Sequence, residues 1–130
     1  MPFVYANAGA LAGKARVGTK ECVALVHHYT AVGHTTTWTA GEKVIGNPRI
    51  KIGTAIATFR NGRYKSSKSN NHAAFFLRHE RAGIVVIDQW KDDPDRPDVK
   101  REIGMRTIRT RAGPFADGTW PNESDNAEAF

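Results

Sequence analysis

The chain has 130 residues, 40% of them hydrophobic and 25% charged, with a formal net charge of +6. That size suits one compact domain that buries its own core, because chains split into several cores only beyond roughly 250 residues. Cys22 is the only cysteine, which excludes an intrachain disulfide framework, and no apolar run approaches the ~18 residues of a membrane span.

The N-terminus, Met1-Pro2-Phe3-Val4-Tyr5-Ala6, carries no basic segment followed by a long apolar stretch. An ordinary secretory signal and membrane insertion are therefore not expected, and the chain is expected to be made in the cytoplasm. Residues 5–18, rich in Ala and Gly, predict a short helix or an irregular lead-in. Residues 17–29 predict a clearer helix, with Thr19 as N-cap, Glu21 at the positive end of the dipole and Gly33 as the stop. Cys22, Val26 and Tyr29 fall on one face, and Cys22 lies in the first turn.

Thr, Gly and Pro over residues 34–49 predict a loop with Trp38 buried in it. A strand is expected over residues 50–59, supported by Ile50, Ile52, Ile56 and the β-branched threonines. Residues 60–71 form a basic polar loop with an Asn61-Gly62 turn. Residues 72–79 predict a second strand, Arg81-Ala82-Gly83 a turn, and residues 84–90 a third strand. Prolines and aspartates over 92–98 oppose regular structure, residues 99–111 predict a fourth strand, and 113–130 reads as irregular. A helix followed by an antiparallel meander is an α+β layout, with helices packed on a curled sheet. No repeat or linker divides the chain, so a single catalytic domain is expected over residues 1–130.

A cysteine nucleophile needs its thiolate, which the free amides and dipole of a helix N-terminus stabilise. It also needs an imidazole to share the proton and a group to orient that imidazole. His72 opens a strand after a Ser- and Asn-rich loop. Asp88 lies 16 residues on, near the end of the paired strand, so the two are candidate neighbours. Gln89 is the alternative orienter, because the turn length decides which residue shares the face of His72. Singly, each reading is weak: a cysteine before Val-Ala-Leu-Val is more often a small core residue, and a histidine at a strand start more often a surface one. Order and spacing together give Cys22, His72 and Asp88 their force.

Residues 18–26, GTKECVALV, resemble the nucleophile segment of the NlpC/CHAP branch of papain-like cell-wall hydrolases. Residues 52–59, IGTAIATF, resemble the strand that follows there. Asn71-His72-Ala73-Ala74 resembles the strand opened by the catalytic histidine, and residues 85–90, VVIDQW, the next one. Small size, basic charge and the absent signal make the chain similar to the peptidoglycan amidase effectors of type VI secretion, the second amidase family in particular. The resemblance implies a papain-like fold, no cofactor or metal, and cleavage of a peptidoglycan amide through a thioester on Cys22. His72 would protonate the leaving amine and Asp88 would hold its tautomer. It implies three partners: peptidoglycan, a secretion apparatus and a cognate immunity protein. The place of action would be the periplasm of a target bacterium. The Cys22 amide is the first oxyanion donor. Lys20 and Glu21 depart from the amide or aromatic residue common beside the family's cysteine, so the second donor is not located.

Trp90, two residues from Asp88, Gln89, and the basic loop residues Arg63 and Lys65 are candidate substrate contacts. The three tryptophans Trp38, Trp90 and Trp120 could line a groove, although buried aromatics are commoner. Arg101, Arg106, Arg109 and Arg111 read as an exposed strand face. His27, His28 and His34 fit no compact metal-ligand spacing. A rival reading, a small basic nucleic-acid-binding module, predicts steeply salt-dependent binding. No recognition helix or pair of stacking aromatics supports it, and no nucleic-acid partner is expected. A third reading is a domain that binds the wall without cutting it.

Overall fold

A computed structural model of the chain describes residues 3–60, 62–64, 71–90, 102–110 and 126–130. Four antiparallel strands, β1 (Ala55–Ala57), β2 (Ala73–Glu80), β3 (Gly83–Asp88) and β4 (Gly104–Arg109), form one sheet in sequence order. Among the described residues one α-helix, α1 (Cys22–Tyr29), packs on β2. The arrangement is α+β, as the order of the predicted elements requires.

Both faces of the sheet are covered, which is why β2 and β3 read as nearly continuous apolar runs rather than alternating ones. Ala73, Phe75 and Leu77 of β2, with Val85 and Ile87 of β3, face α1 and pack with Leu11, Leu25, Val26, Trp38 and Tyr64. The residues between them, Ala74, Phe76, Ile84 and Val86, with Ile108 of β4, face Val44, Ala127 and Phe130. The end of the tail, expected to be irregular, is thus a short 3-10 turn at Ala127–Ala129 that seals the second face. Its backbone is tied in by Val44 N–H to the Phe130 carbonyl (3.4 Å) and Phe59 N–H to the Ala129 carbonyl (3.3 Å).

The helix and the first strand are bounded differently from the sequence reading. The helix begins at Cys22 with Glu21, not Thr19, at the cap: Gly18 and Lys20 take φ of 58° and 71°, turning the chain until Glu21 becomes extended. Glu21 offers no side-chain cap, so α1 opens without one. The helix also stops at Tyr29, four residues before Gly33. Thr30 becomes extended and its Oγ1 donates to the Val26 carbonyl at 2.8 Å, closing the last turn.

The first strand shrinks to three residues. Thr54 N–H and Oγ1 both donate to the Lys51 carbonyl, which makes 51–54 a turn. Gly53 has φ 88°, and a Cβ there would lie 2.0 Å from the Tyr5 carbonyl oxygen, so the close approach of the N-terminal segment needs glycine. Beyond β1, Thr58 leaves the regular ladder: its N–H donates to the His72 carbonyl at 2.9 Å, and its Oγ1 accepts the His72 N–H at 3.0 Å. His72 is therefore anchored by its backbone just outside β2. The fourth strand spans Gly104–Arg109, while residues 99–101 and 111 of the expected strand lie outside the described residues. The predicted 92–98 loop lies outside the described residues.

Candidate functional site

The register of the β2–β3 hairpin sets the histidine and the acid. Phe75 pairs with Ile87, so further along the same ladder Ala74 falls opposite Asp88 and His72 lies diagonal to Asp88 on the same face. His72 Nε2 donates to Asp88 Oδ2 at 2.7 Å, and both residues are 1% exposed. With Nε2 committed to the acid, Nδ1 is the ring nitrogen left for Cys22, and the imidazole is close enough to the thiol to lower its pKa.

Cys22 occupies the first position of α1, where the leading N–H groups have no acceptor inside the helix. Burial pushes its thiol up. The hydrogen bond and charge of His72, a backbone hydrogen bond with Ala73 and the Tyr64 hydroxyl outweigh that, and the thiol is held below its ordinary value of 9.0. His72 moves the opposite way. Burial pulls it down, but Asp88 and Cys22 together push it up to about 9. Both displacements favour a thiolate–imidazolium pair at neutral pH.

Asp88 has a second donor that the sequence reading placed in solvent. Arg106 Nε donates to the same Oδ2 at 2.7 Å, with the arginine side chain only 21% exposed. The register that pairs Val86 with Arg106 puts the arginine on the Asp88 face of the sheet. Arg109, read into the same exposed strand face, is exposed; Arg101 and Arg111 lie outside the described residues. Among the described residues, Oδ1 of Asp88 has no hydrogen-bond partner.

Trp90 closes the solvent side of the histidine. Its ring lies 5.5 Å from the imidazole at 30°, with the Arg106 guanidinium 4.5 Å from the indole centroid. It is 38% exposed, so one edge of this platform is open to a ligand. Phe130 meets the imidazole edge-on at 6.4 Å. The ring of His72 thus meets two aromatics and a carboxylate.

Gln89 departs from its expected roles. It is fully buried and its amide is spent on the segment before α1. Oε1 accepts the Val17 N–H at 3.0 Å, while Nε2 donates to the carbonyls of Val17 (3.1 Å) and Glu21 (2.7 Å). It neither orients His72 nor meets solvent; it ties the start of the helix to the sheet. Arg63 is exposed, in the 60–63 turn that leads into Tyr64. Lys65 and Trp120 lie outside the described residues. Trp38 is buried, His27 stacks on it at 5.8 Å, and His28 lies against Tyr29.

Tyr64 is the residue that sequence reasoning missed. Its hydroxyl lies 4.0 Å from Cys22 Sγ. The only signal was an aromatic residue inside a basic loop, and nothing in the spacing ties it to a cysteine 42 positions earlier.

Comparison with known proteins gives three findings. The family model described as domesticated amidase effector 2 matches residues 4–118. A curated protein of Salmonella typhi, the type VI secretion amidase effector 2 protein, is 49% identical over 135 residues, covering 100% of this chain and 97% of that protein. The solved structure of a type 6 secretion amidase effector 2 superposes with a TM-score of 0.87 at 48% identity, covering 97% of this chain and 89% of that one.

Proposed function

Because the chain belongs to the domesticated amidase effector 2 family, we propose that it hydrolyses an amide bond in the peptide stems or cross-links of peptidoglycan through a thioester on Cys22. The observation that carries this reading is the continuous relay from Cys22 to His72 to Asp88, buried against the sheet and opening at a helix N-terminus.

The chemistry follows from the geometry. The Cys22 thiolate attacks the substrate carbonyl carbon, and the displaced electron pair moves to oxygen beside the Cys22 amide. His72, an imidazolium at neutral pH because its value is raised to about 9, gives its Nδ1 proton to the leaving nitrogen as the C–N bond breaks. The acyl group stays on sulfur as a thioester. The neutral His72 then takes a proton from water, whose oxygen attacks the thioester, and the thiolate leaves. Acid, thiolate and imidazolium are regenerated together. Asp88 accepts the hydrogen bond from Nε2–H throughout, without taking the proton, and keeps Nδ1 turned toward sulfur.

Relatives named as type VI secretion amidase effectors support the biological setting. In this reading the chain is secreted by that apparatus and cuts the wall of a target bacterium from its periplasm. A cognate immunity protein in the producing cell would prevent self-damage. The net charge of +6 suits an anionic wall. The test is expression with periplasmic targeting: the wild-type chain lyses the host, whereas folded Cys22→Ala does not. Lysis by Cys22→Ala would sink the reading.

A further inference from the structure

The geometry points to the Tyr64 hydroxyl as the second oxyanion donor, acting with the Cys22 amide on the carbonyl oxygen of the scissile bond. This deepens the amidase reading and rests on it. The first observation is supply and demand. Gln89, the amide side chain that follows Asp88, has its hydrogen-bonding groups taken by Val17 and Glu21. Asp88 and His72 hold each other. Tyr64, by contrast, is 8% exposed and has one hydrogen-bond partner among the described residues, the sulfur 4.0 Å away. A buried phenol normally finds a close oxygen or nitrogen partner, so this hydroxyl retains capacity for a shorter bond.

The second observation is placement. In the tetrahedral intermediate the oxyanion sits two bonds from Sγ. A donor 4.0 Å from the sulfur can therefore stand at the roughly 2.7–3.1 Å that such stabilisation needs. The donor is also held in place. Arg60 and Arg63 exchange backbone hydrogen bonds of 2.8 and 3.1 Å, and the Gly62 carbonyl accepts the Ala40 N–H at 2.9 Å, fixing the turn before Tyr64. Its ring packs edge-on against Trp38 at 4.9 Å, and Trp38 is itself pinned by Nε1 donating to the Gly33 carbonyl at 2.8 Å. Burial and the negative charges of Cys22 and Glu21 oppose ionisation of the phenol, so it keeps the proton it must donate.

In the resting enzyme Tyr64 faces the thiolate; on attack the sulfur loses its charge and the oxygen gains it, and the hydroxyl follows the charge. The proton stays on Tyr64 throughout. No reorganisation beyond a rotation of the O–H is needed, which is what makes such a donor effective.

The test separates this role from simple activation of the thiol. Tyr64→Phe keeps the ring and removes the donor. Two rates are measured on the same preparation: fragment release from purified peptidoglycan, and alkylation of Cys22 by iodoacetamide, a displacement at saturated carbon that builds no oxyanion. Digestion is expected to fall about 10²- to 10³-fold while alkylation stays within about threefold of wild type, which also certifies a folded site. Digestion at the wild-type rate would overturn the proposal, and so would alkylation that slows as much as digestion. Digestion surviving in Cys22→Ala would remove the parent reading, and this one with it.

Discussion

Asp88→Asn isolates one charge in a nearly unchanged shape. A single oxygen of Asp88, Oδ2, accepts from both His72 and Arg106. Asparagine can keep that oxygen in place and put its amide nitrogen where Oδ1, without a partner among the described residues, now stands. The packing of Trp90 and Phe130 on the imidazole need not change. What goes is the negative charge. His72 rises from 6.5 to about 9 although its burial acts in the other direction. That net rise is worth on the order of 3 kcal/mol in favour of the imidazolium, at about 1.36 kcal/mol per pH unit. Asp88 is the largest contributor to the rise and Cys22 the other. Once the charge is gone, desolvation prevails, the imidazolium returns its proton to sulfur, and the reactive pair collapses to thiol and neutral imidazole. Peptidoglycan digestion at pH 7 is expected to fall about 10²- to 10³-fold. Iodoacetamide alkylation of Cys22 at the same pH should fall with it, because the thiolate itself is depleted. An Asp88→Asn variant that keeps both rates within about threefold of wild type would refute the argument that this carboxylate maintains the pair.

The pH dependence of wild-type digestion should show a plateau whose limits have opposite causes. As pH falls through the lowered Cys22 value the thiolate is protonated and attack is lost; as pH rises through about 9 the His72 imidazolium loses the proton the leaving amine needs. Alkylation should share the acid limb and lack the alkaline loss; alkylation that instead climbs through 9.0, the ordinary thiol value, would contradict a preformed thiolate. Gln89→Ala leaves the Val17 N–H and the Val17 and Glu21 carbonyls without their present partner. It should cost about 2–4 kcal/mol in urea unfolding, and a loss below about 0.5 kcal/mol would show that the segment before α1 is held by something else.

Local rules read the relay from the chain because each of its members depends on short-range geometry. A helix pattern puts Cys22 in a first turn, and a hairpin brings the start of one strand beside the end of the next, which places His72 near Asp88. The choice between Asp88 and Gln89 was open because it depends on face. The ladder that pairs Phe75 with Ile87 settles which side chain reaches the imidazole. Arg106 was misread for a related reason. Alternation of arginine with apolar residues in 105–111 resembles one solvated face, but in a sheet covered on both sides the Arg106 face is partly enclosed by Trp90.

The long-range parts left no local trace. Tyr64 reaches Cys22 across 42 positions through the Trp38 loop, and Phe130 reaches His72 from the far end of the chain. The strand expected over 50–59 shortened because the close approach of Tyr5 to Gly53 and the pairing of Thr58 with the His72 backbone are both tertiary contacts.

The central claim is that Cys22 opens an amide bond of peptidoglycan, and mass spectrometry of digested peptidoglycan tests it most directly. Purified peptidoglycan incubated with the wild-type chain should release fragments that each carry a new free amine or carboxyl at one kind of amide linkage. Cys22→Ala, folded and at equal concentration, should release none. Fragments cut at a glycosidic bond, or the same amide products from Cys22→Ala, would contradict the account.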